Sequence, residues 1–437
     1  MEKLKGLLLV AVVAVLTGCA APEKRHSPAE LEAFRPQDFK WPAAAQSVER
    51  ARLDAERARI RERLALPAGA ERDAQLPAAL AAIMLFNIEI DAGRAPLLAA
   101  LPSLGSAAPE QQRALLTAAH TLYAREAAPL IAPLLPQLQG AREFAIAVHV
   151  VLKADPSAAP ALMAALQRRP DCCSEPRLLA LAQVLRVQDA APAPALEDLL
   201  AAPLKPGLPV VFSLQRPGRQ ALGLALVRGA DGRFVRGADG RPFAVPQLAL
   251  ARSGLPGTLT YGNTPSGLFT VRGAGTAENP WIGPTPYLHS LLPIEASVAE
   301  FLHEAEAGKT WHEADYRNLL PPSWAAPLRE AWLAGLAGRS EILMHGTTIN
   351  PEYYRGEPYF PGTPSAGCLV ADERWSWVDG QLLASDQLRL AQAFTAGGQD
   401  RGYLVVAEIA AGTGPVRLEE VLDTLLAAEL KLRGVGR

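Results

Sequence analysis

A thiol and an imidazole stand out in a chain otherwise dominated by alanine and leucine. Cys368 lies in Ser365-Ala366-Gly367-Cys368-Leu369, a run of small residues. Such a run permits a sharp turn that exposes the sulfur and aims backbone N–H groups at a nearby oxyanion. A thiol at its ordinary pKa is mostly protonated at neutral pH, so it needs a base. His345, in His345-Gly346-Thr347 at the end of the apolar stretch Glu341 to Met344, is the available one. His289, His303 and His312 read as helical or loop residues without a comparable setting, and His120 and His149 as packed residues on apolar helix faces. A third segment, Gly262-Asn263-Thr264-Pro265-Ser266-Gly267-Leu268-Phe269-Thr270-Val271, reads as a Pro/Gly turn leading into a strand.

In this chain order the three segments resemble the L,D-transpeptidase family of cell-wall enzymes, which pairs a Thr-Pro-x-Gly-x-Phe segment with His-Gly-Thr and Ser-x-Gly-Cys. The resemblance covers roughly residues 207 to 410. It implies Cys368 as nucleophile, His345 as its base, and the Gly346 carbonyl as the group that orients the imidazole. The N–H groups of Gly367 and Cys368 would hold the oxyanion. The implied reaction is acyl transfer at the diaminopimelate–D-alanine bond of a stem tetrapeptide: D-alanine leaves, and an amine or water takes the acyl group. No metal and no cofactor are implied. Hydrolysis on the same fold is the neighbouring alternative, either as an L,D-carboxypeptidase or as a peptidase that cuts crosslinks or releases attached lipoproteins. An inactive cell-wall-binding scaffold is the alternative outside enzymes.

The chain departs from the family pattern in three places. Ala366 stands where His or Lys is common, and Val370 where Arg or Asn is common. Val370 puts the family's substrate-carboxylate contact in question, and Arg355 and Arg374 are the candidates to replace it. The stretch from His345 to Cys368 is also longer than usual. Its Tyr353, Tyr354, Arg355, Tyr359 and Phe360 would form an aromatic, basic wall for a peptide or glycan, with Ser365 and Tyr287 as further substrate contacts. The alternative is a surface loop pinned by Pro351, Pro358, Pro361 and Pro364.

The surrounding sequence predicts the elements that position these residues. From Pro206 the texture is β-rich, with apolar runs at Leu208 to Leu214 and Leu222 to Val227. Asp231-Gly232 and Asp239-Gly240, each inside a copy of Arg-Gly-Ala-Asp-Gly-Arg, are type I′ hairpin signals. Residues 294–340 read as a helical insert, trimming the fold or acting as a lid, with helices over Glu295 to Glu306 and Trp324 to Leu336. Asp372 reads as the N-cap of a helix following Cys368. Tyr403 to Ile409 reads as a closing strand and Leu418 to Leu432 as a terminal amphipathic helix.

Upstream, residues 74–203 carry Ala95-Pro96, Ala128-Pro129, Ala159-Pro160 and Ala193-Pro194, each followed by an Ala/Leu-rich segment. Read as Pro at the first helical position, these mark one helix of each pair. The partner helices are Glu110 to Tyr123, Arg142 to Lys153 and Glu175 to Val187. A helix pair every ~30 to 35 residues is the mark of an α-solenoid. Cys172 and Cys173 are neighbours too close for an unstrained bridge and read as small, partly buried residues before a helix. Ser47 to Leu66 reads as a solvated, charge-laced helix with Glu49–Arg52 and Glu56–Arg59 pairs.

At the start of the chain, Lys3 and Lys5 precede the short apolar core Leu7 to Leu16, and Leu16-Thr17-Gly18-Cys19 follows. This resembles a bacterial lipoprotein signal, with Cys19 as the acylated residue. Ala20 points by the same resemblance to the outer membrane, facing the periplasm. Residues 20 to about 46, rich in proline and polar residues, read as an extended tether.

The 437 residues therefore read as a multidomain α + β chain: signal peptide 1–18, tether 19–46, a solenoid-like helical domain 47–205, a mostly-β catalytic domain 206–412 with its helical insert, and a C-terminal helix 413–437. Lys and Arg total 43 against 45 Asp and Glu, a formal charge of -2 with no basic stripe, which argues against a nucleic-acid partner. The expected partners are peptidoglycan stem peptides, the membrane through the anchor, and a protein docked on the helical repeats.

Overall fold

The computed structural model describes residues 24–186, 194–277, 279–305, 309–347, 350–409 and 412–435. Cys19 and its signal lie outside them. Among the described residues no helix is long and apolar enough to cross a membrane.

The N-terminal half is helical. Helices Gln46–Leu64, Ala70–Phe86, Ile90–Ala100, Pro109–Leu122, Ala124–Ile131, Ala141–Ala154, Ala159–Gln167 and Pro176–Arg186 follow one another. Pro109–Leu122, Ala141–Ala154 and Pro176–Arg186 fall where the sequence pattern puts them. The Ala-Pro reading is corrected. Only Pro160 opens a helix; Pro96 and Pro129 lie inside theirs, and Pro194 precedes a short helix at Leu196–Leu200. Asp91 and Glu126 hold the first turns upstream, so these helices start before their prolines. His120 and His149 are buried, as their apolar faces require. Cys172 and Cys173 are free thiols whose Sγ atoms sit 3.1 Å apart.

The C-terminal half is a closed β-barrel. Its strands are β2 Val210–Gln215, β3 Gly223–Arg228, β4 Ala244–Leu248, β5 Gly267–Thr276, β6 Tyr287–Leu291, β7 Ile342–His345, β8 Leu369–Ala371 and β11 Gly402–Glu408. The order runs β5-β11-β2-β3-β4-β8-β7-β6, and β6 returns to β5. Among the described barrel strands, β11/β2 and β7/β8 pair in parallel and the rest antiparallel. Closure removes free edges, and the apolar interior includes Val211, Phe269, Leu288, Met344, Leu369 and Leu404.

His289 lies in strand β6, not in a helix or loop. The turns at Gly232 and Gly240 place only the glycine at positive φ, so neither is type I′. In each, the Asp carboxylate accepts from the Arg N–H two residues on, which holds a tighter bulged turn instead. Asp372 caps no helix. A hairpin, β9 Glu373–Trp375 with β10 Leu382–Ser385, intervenes, and Ser385 caps helix Asp386–Thr395. Among its described residues the insert carries only short helices, Val298–Phe301, Glu313–Asn318 and Glu330–Leu336. Its Phe301, Tyr316, Trp324 and Trp332 are buried, Phe301 against the outward-facing Tyr403, so the insert is a structural layer on the barrel wall and not a lid.

The extended tether is also overturned for residues 24–46. Strand β1, Lys24–His26, adds to β5, and helix Pro28–Ala33 packs on Asp386–Thr395. Phe39 and Trp41 pack with Trp375 on the β9–β10 hairpin. Proline placed at helix starts here initiates short turns whose aromatics find a groove.

The two halves share one interface. Leu255 and Leu259 of the barrel half complete the helical core, and His120 Nδ1 donates to the Ser253 carbonyl at 2.9 Å. Helix Gln46–Leu64 is not simply solvated: Glu49 is buried, accepting from Tyr353 Oη at 3.0 Å and from the Asn350 amide.

Candidate active site

Strand β7 ends at His345, and β8 begins one residue after Cys368. The parallel register pairs Met344 with Leu369 and His345 with Val370, which sets Cys368 beside Leu343. Side chains alternate across a strand. Met344 and Leu369 point into the barrel core, so Leu343, His345 and Cys368 share its outer face. Cys368 packs there with Ala277, Ile282, Tyr287 and Leu343. The Leu343 N–H donates to its sulfur at 3.4 Å, and the thiol faces the Glu341 carbonyl at 3.7 Å.

His345 Nδ1 lies 2.6 Å from the Gly346 carbonyl oxygen. A carbonyl only accepts, so Nδ1 carries the proton and Nε2 is left as the basic atom. The ring is 1% exposed. Burial pushes its pKa down to about 4; the Gly346 bond opposes this, and the charge of Arg252 adds to it. At neutral pH the imidazole is therefore uncharged.

The loop before the sulfur is held from several sides. Ser365 Oγ donates to the Cys368 carbonyl at 2.8 Å and accepts the Gly367 N–H at 2.9 Å. Ser365 thus braces the turn. The Gly367 N–H, expected at the oxyanion, is already engaged. Thr264 Oγ1 donates to the Gly367 carbonyl at 2.9 Å, which joins the Thr-Pro segment to the cysteine loop. Arg219 in turn donates to the Thr264 carbonyl at 2.9 Å and Ser266 Oγ at 2.8 Å. Gly367 has φ +125°, and a Cβ there would collide with Arg339 and the Gly262 carbonyl, so only glycine fits.

The expected aromatic wall faces elsewhere. Tyr353 and Tyr354 dock the loop onto the helical half: Asn87 donates to the Tyr353 carbonyl at 2.9 Å, and Tyr354 Oη donates to the Leu85 carbonyl at 3.2 Å. Phe86 meets Trp281 and Tyr353 edge to face, and Arg52 lies over Trp281. Arg355 is exposed and paired with Glu352. Tyr287 is beside Cys368, as a wall of its pocket.

Two residues at this site carry no motif and were not legible in the sequence. One is Arg339. The other is Glu373, 3% exposed, whose carboxyl lies where a Gly346 side chain would be. Thr285 and Ser385 hydroxyls donate to its Oε1 at 2.6 and 2.7 Å. Burial pushes its pKa up to about 7 against those bonds. A cavity of about 530 Å³ opens alongside, with Thr347, Glu373, Trp41, Phe360 and Trp377 on its walls. Among the described residues no cluster of His, Cys, Asp or Glu is suited to a metal. No family model, curated protein or solved structure matches the chain.

Proposed function

We propose that this chain is a cysteine L,D-transpeptidase acting on peptidoglycan stem tetrapeptides through a thioacyl-enzyme. The observation that carries the reading is the His345–Cys368 pair on one barrel face, with Nδ1 fixed on the Gly346 carbonyl. In the proposed reaction the Cys368 sulfur attacks the peptide carbonyl while its proton passes to His345 Nε2. The C–N bond to D-alanine then breaks, and the same proton goes to the departing amine. An acceptor amine next displaces the sulfur, which regains a proton. Cys368 and the Gly346-oriented His345 suffice for these transfers.

The test is incubation of the full chain with disaccharide-tetrapeptide, followed by mass spectrometry. Crosslinked product is the expected outcome. Tripeptide alone would make the protein a carboxypeptidase, and cleavage of pre-formed crosslinks a hydrolase. No product with any donor would leave the cell-wall-binding scaffold.

We further propose that the helical half is a solenoid-like stack serving as a docking surface for a protein partner. In support, Ala70–Phe86 packs on Pro109–Leu122, that helix on Ala141–Ala154, and that one on Pro176–Arg186. We also propose a lipid anchor at Cys19 in the outer membrane, facing the periplasm. Lys24, where strand β1 begins, is five positions after Cys19. At full extension they span about 17 Å, so the barrel would sit close against the bilayer. Cys19→Ala should leave an unprocessed, acyl-free precursor. A wild-type protein with a mature, acyl-free N-terminus at another residue would refute the anchor.

A further inference from the structure

Arg339 follows helix Glu330–Leu336 and is 6% exposed. Its Nη1 donates to the carbonyls of Gly257, at 3.1 Å, Leu259, and Gly262, at 3.2 Å. Among the described residues no acceptor holds Nη2 and no carboxylate lies within 4 Å of the guanidinium. Nη2 instead lies where a Gly367 side chain would be, one residue from Cys368. Glu330 and Glu295 act on its charge only from farther away, and a buried cation without a directly paired counter-ion is costly. Arg228, also buried, shows the contrast: both its Nη atoms have carbonyls, and its plane lies over Phe212.

We infer that Arg339 is the built-in counter-charge of the Cys368 thiolate, a role that rests on Cys368 being the nucleophile. The geometry leaves one vacancy for negative charge beside Nη2, and the thiol loop occupies that side. The Leu343 N–H on the sulfur favours the same ionised form, against the Glu341 carbonyl 3.7 Å away, which favours the thiol and leaves the guanidinium to tip the balance. The need is plain from the partner base. An ordinary thiol, near ~8.5, handing its proton to a ring near ~4 is unfavourable by roughly four powers of ten. A fixed positive charge beside the sulfur narrows that gap, and the proton still ends on His345 Nε2 with the electron pair on sulfur. Arg339 thus acts through Cys368 and not on the substrate.

The experiment is the pH profile of iodoacetamide alkylation on the full chain, with Cys368 quantified by peptide mass spectrometry. Cys173, an exposed thiol of the helical half, reports in the same sample. The Cys368 midpoint should lie at least about one pH unit below the ordinary ~8.5. R339Q should raise it by more than about one unit, slowing alkylation at pH 7 by roughly tenfold. R339K, which keeps the charge, should retain most of the shift, and H345A should leave the midpoint low. A wild-type midpoint at or above the ordinary value overturns the inference, even if R339Q does not fold. So does a folded R339Q with the wild-type profile, or an H345A midpoint that rises to the ordinary value. A depressed midpoint without any acyl product would refute the transpeptidase reading alone.

Discussion

Cys368→Ala is expected to abolish turnover of tetrapeptide donor entirely, and with it any covalent adduct. A carbapenem, whose strained carbonyl imitates the donor peptide, should add once to the wild-type protein, on Cys368. It should not add to the variant. The expectation is this sharp because the competing thiols differ in setting. Cys172 and Cys173 lie in the helical half, next to no imidazole bonded as His345 is. The sulfur contributes only a small part of the packing with Leu343, Tyr287, Ile282 and Ala277. Its loss should therefore cost about 1 kcal/mol of stability, leaving a folded, inert protein. Peptide mapping of the adduct decides the matter. Acylation mapped to Cys172 or Cys173, or persisting in Cys368→Ala, would remove Cys368 from the chemistry.

Much of this site was legible because its signals are local. His345 ends an apolar strand, and Ser365 to Cys368 make a small-residue turn. Both are properties of a few consecutive residues, as are the helices Pro109–Leu122, Ala141–Ala154 and Pro176–Arg186. What the sequence hid is nonlocal. Arg339 and Glu373 reach Gly367 and Gly346 only through tertiary approach, and nothing in their neighbours marks them. Tyr353 and Tyr354 read as a substrate wall because aromatic residues near a nucleophile invite that reading; the partners that claim them, Glu49 and Leu85, lie about 300 and 270 positions away. Pro96 and Pro129 misled because proline is tolerated at a helix start, yet tertiary packing carries these helices through it. The proline-rich stretch near residue 36 failed as a tether for a related reason. Phe34, Phe39 and Trp41 had a groove to bury themselves in, which composition alone does not reveal.

His345→Ala should lower acyl transfer by ~10²–10⁴-fold, the usual contribution of a positioned acid–base group. The residual rate should rise with pH, since hydroxide can generate thiolate without the imidazole. Alkylation by iodoacetamide, which has no leaving amine to protonate, should be spared, and that split separates loss of proton transfer from loss of fold. The pH behaviour of the wild type follows from burial. His345 is a working base only when uncharged, and its pKa is held down to about 4 from an ordinary 6.5. Activity should therefore persist as pH falls through 6.5 and fail only on approach to 4. Stability moves in the same window, and the sign is fixed. The unfolded chain binds the ring proton below 6.5 while the folded one refuses it until about 4, so the fold weakens as pH falls between those values. His120, pushed down to about 3, and His149, to about 4, add to that slope. His345→Ala should remove its own share, about 3 kcal/mol between pH 7 and 4, and leave the slope from the other two. Thermal melts of both proteins at pH 7, 5.5 and 4.5 test this. A wild-type rate that halves near pH 6.5, or a melting temperature flat across that range, would mean the imidazole is solvated and not sealed against the barrel wall.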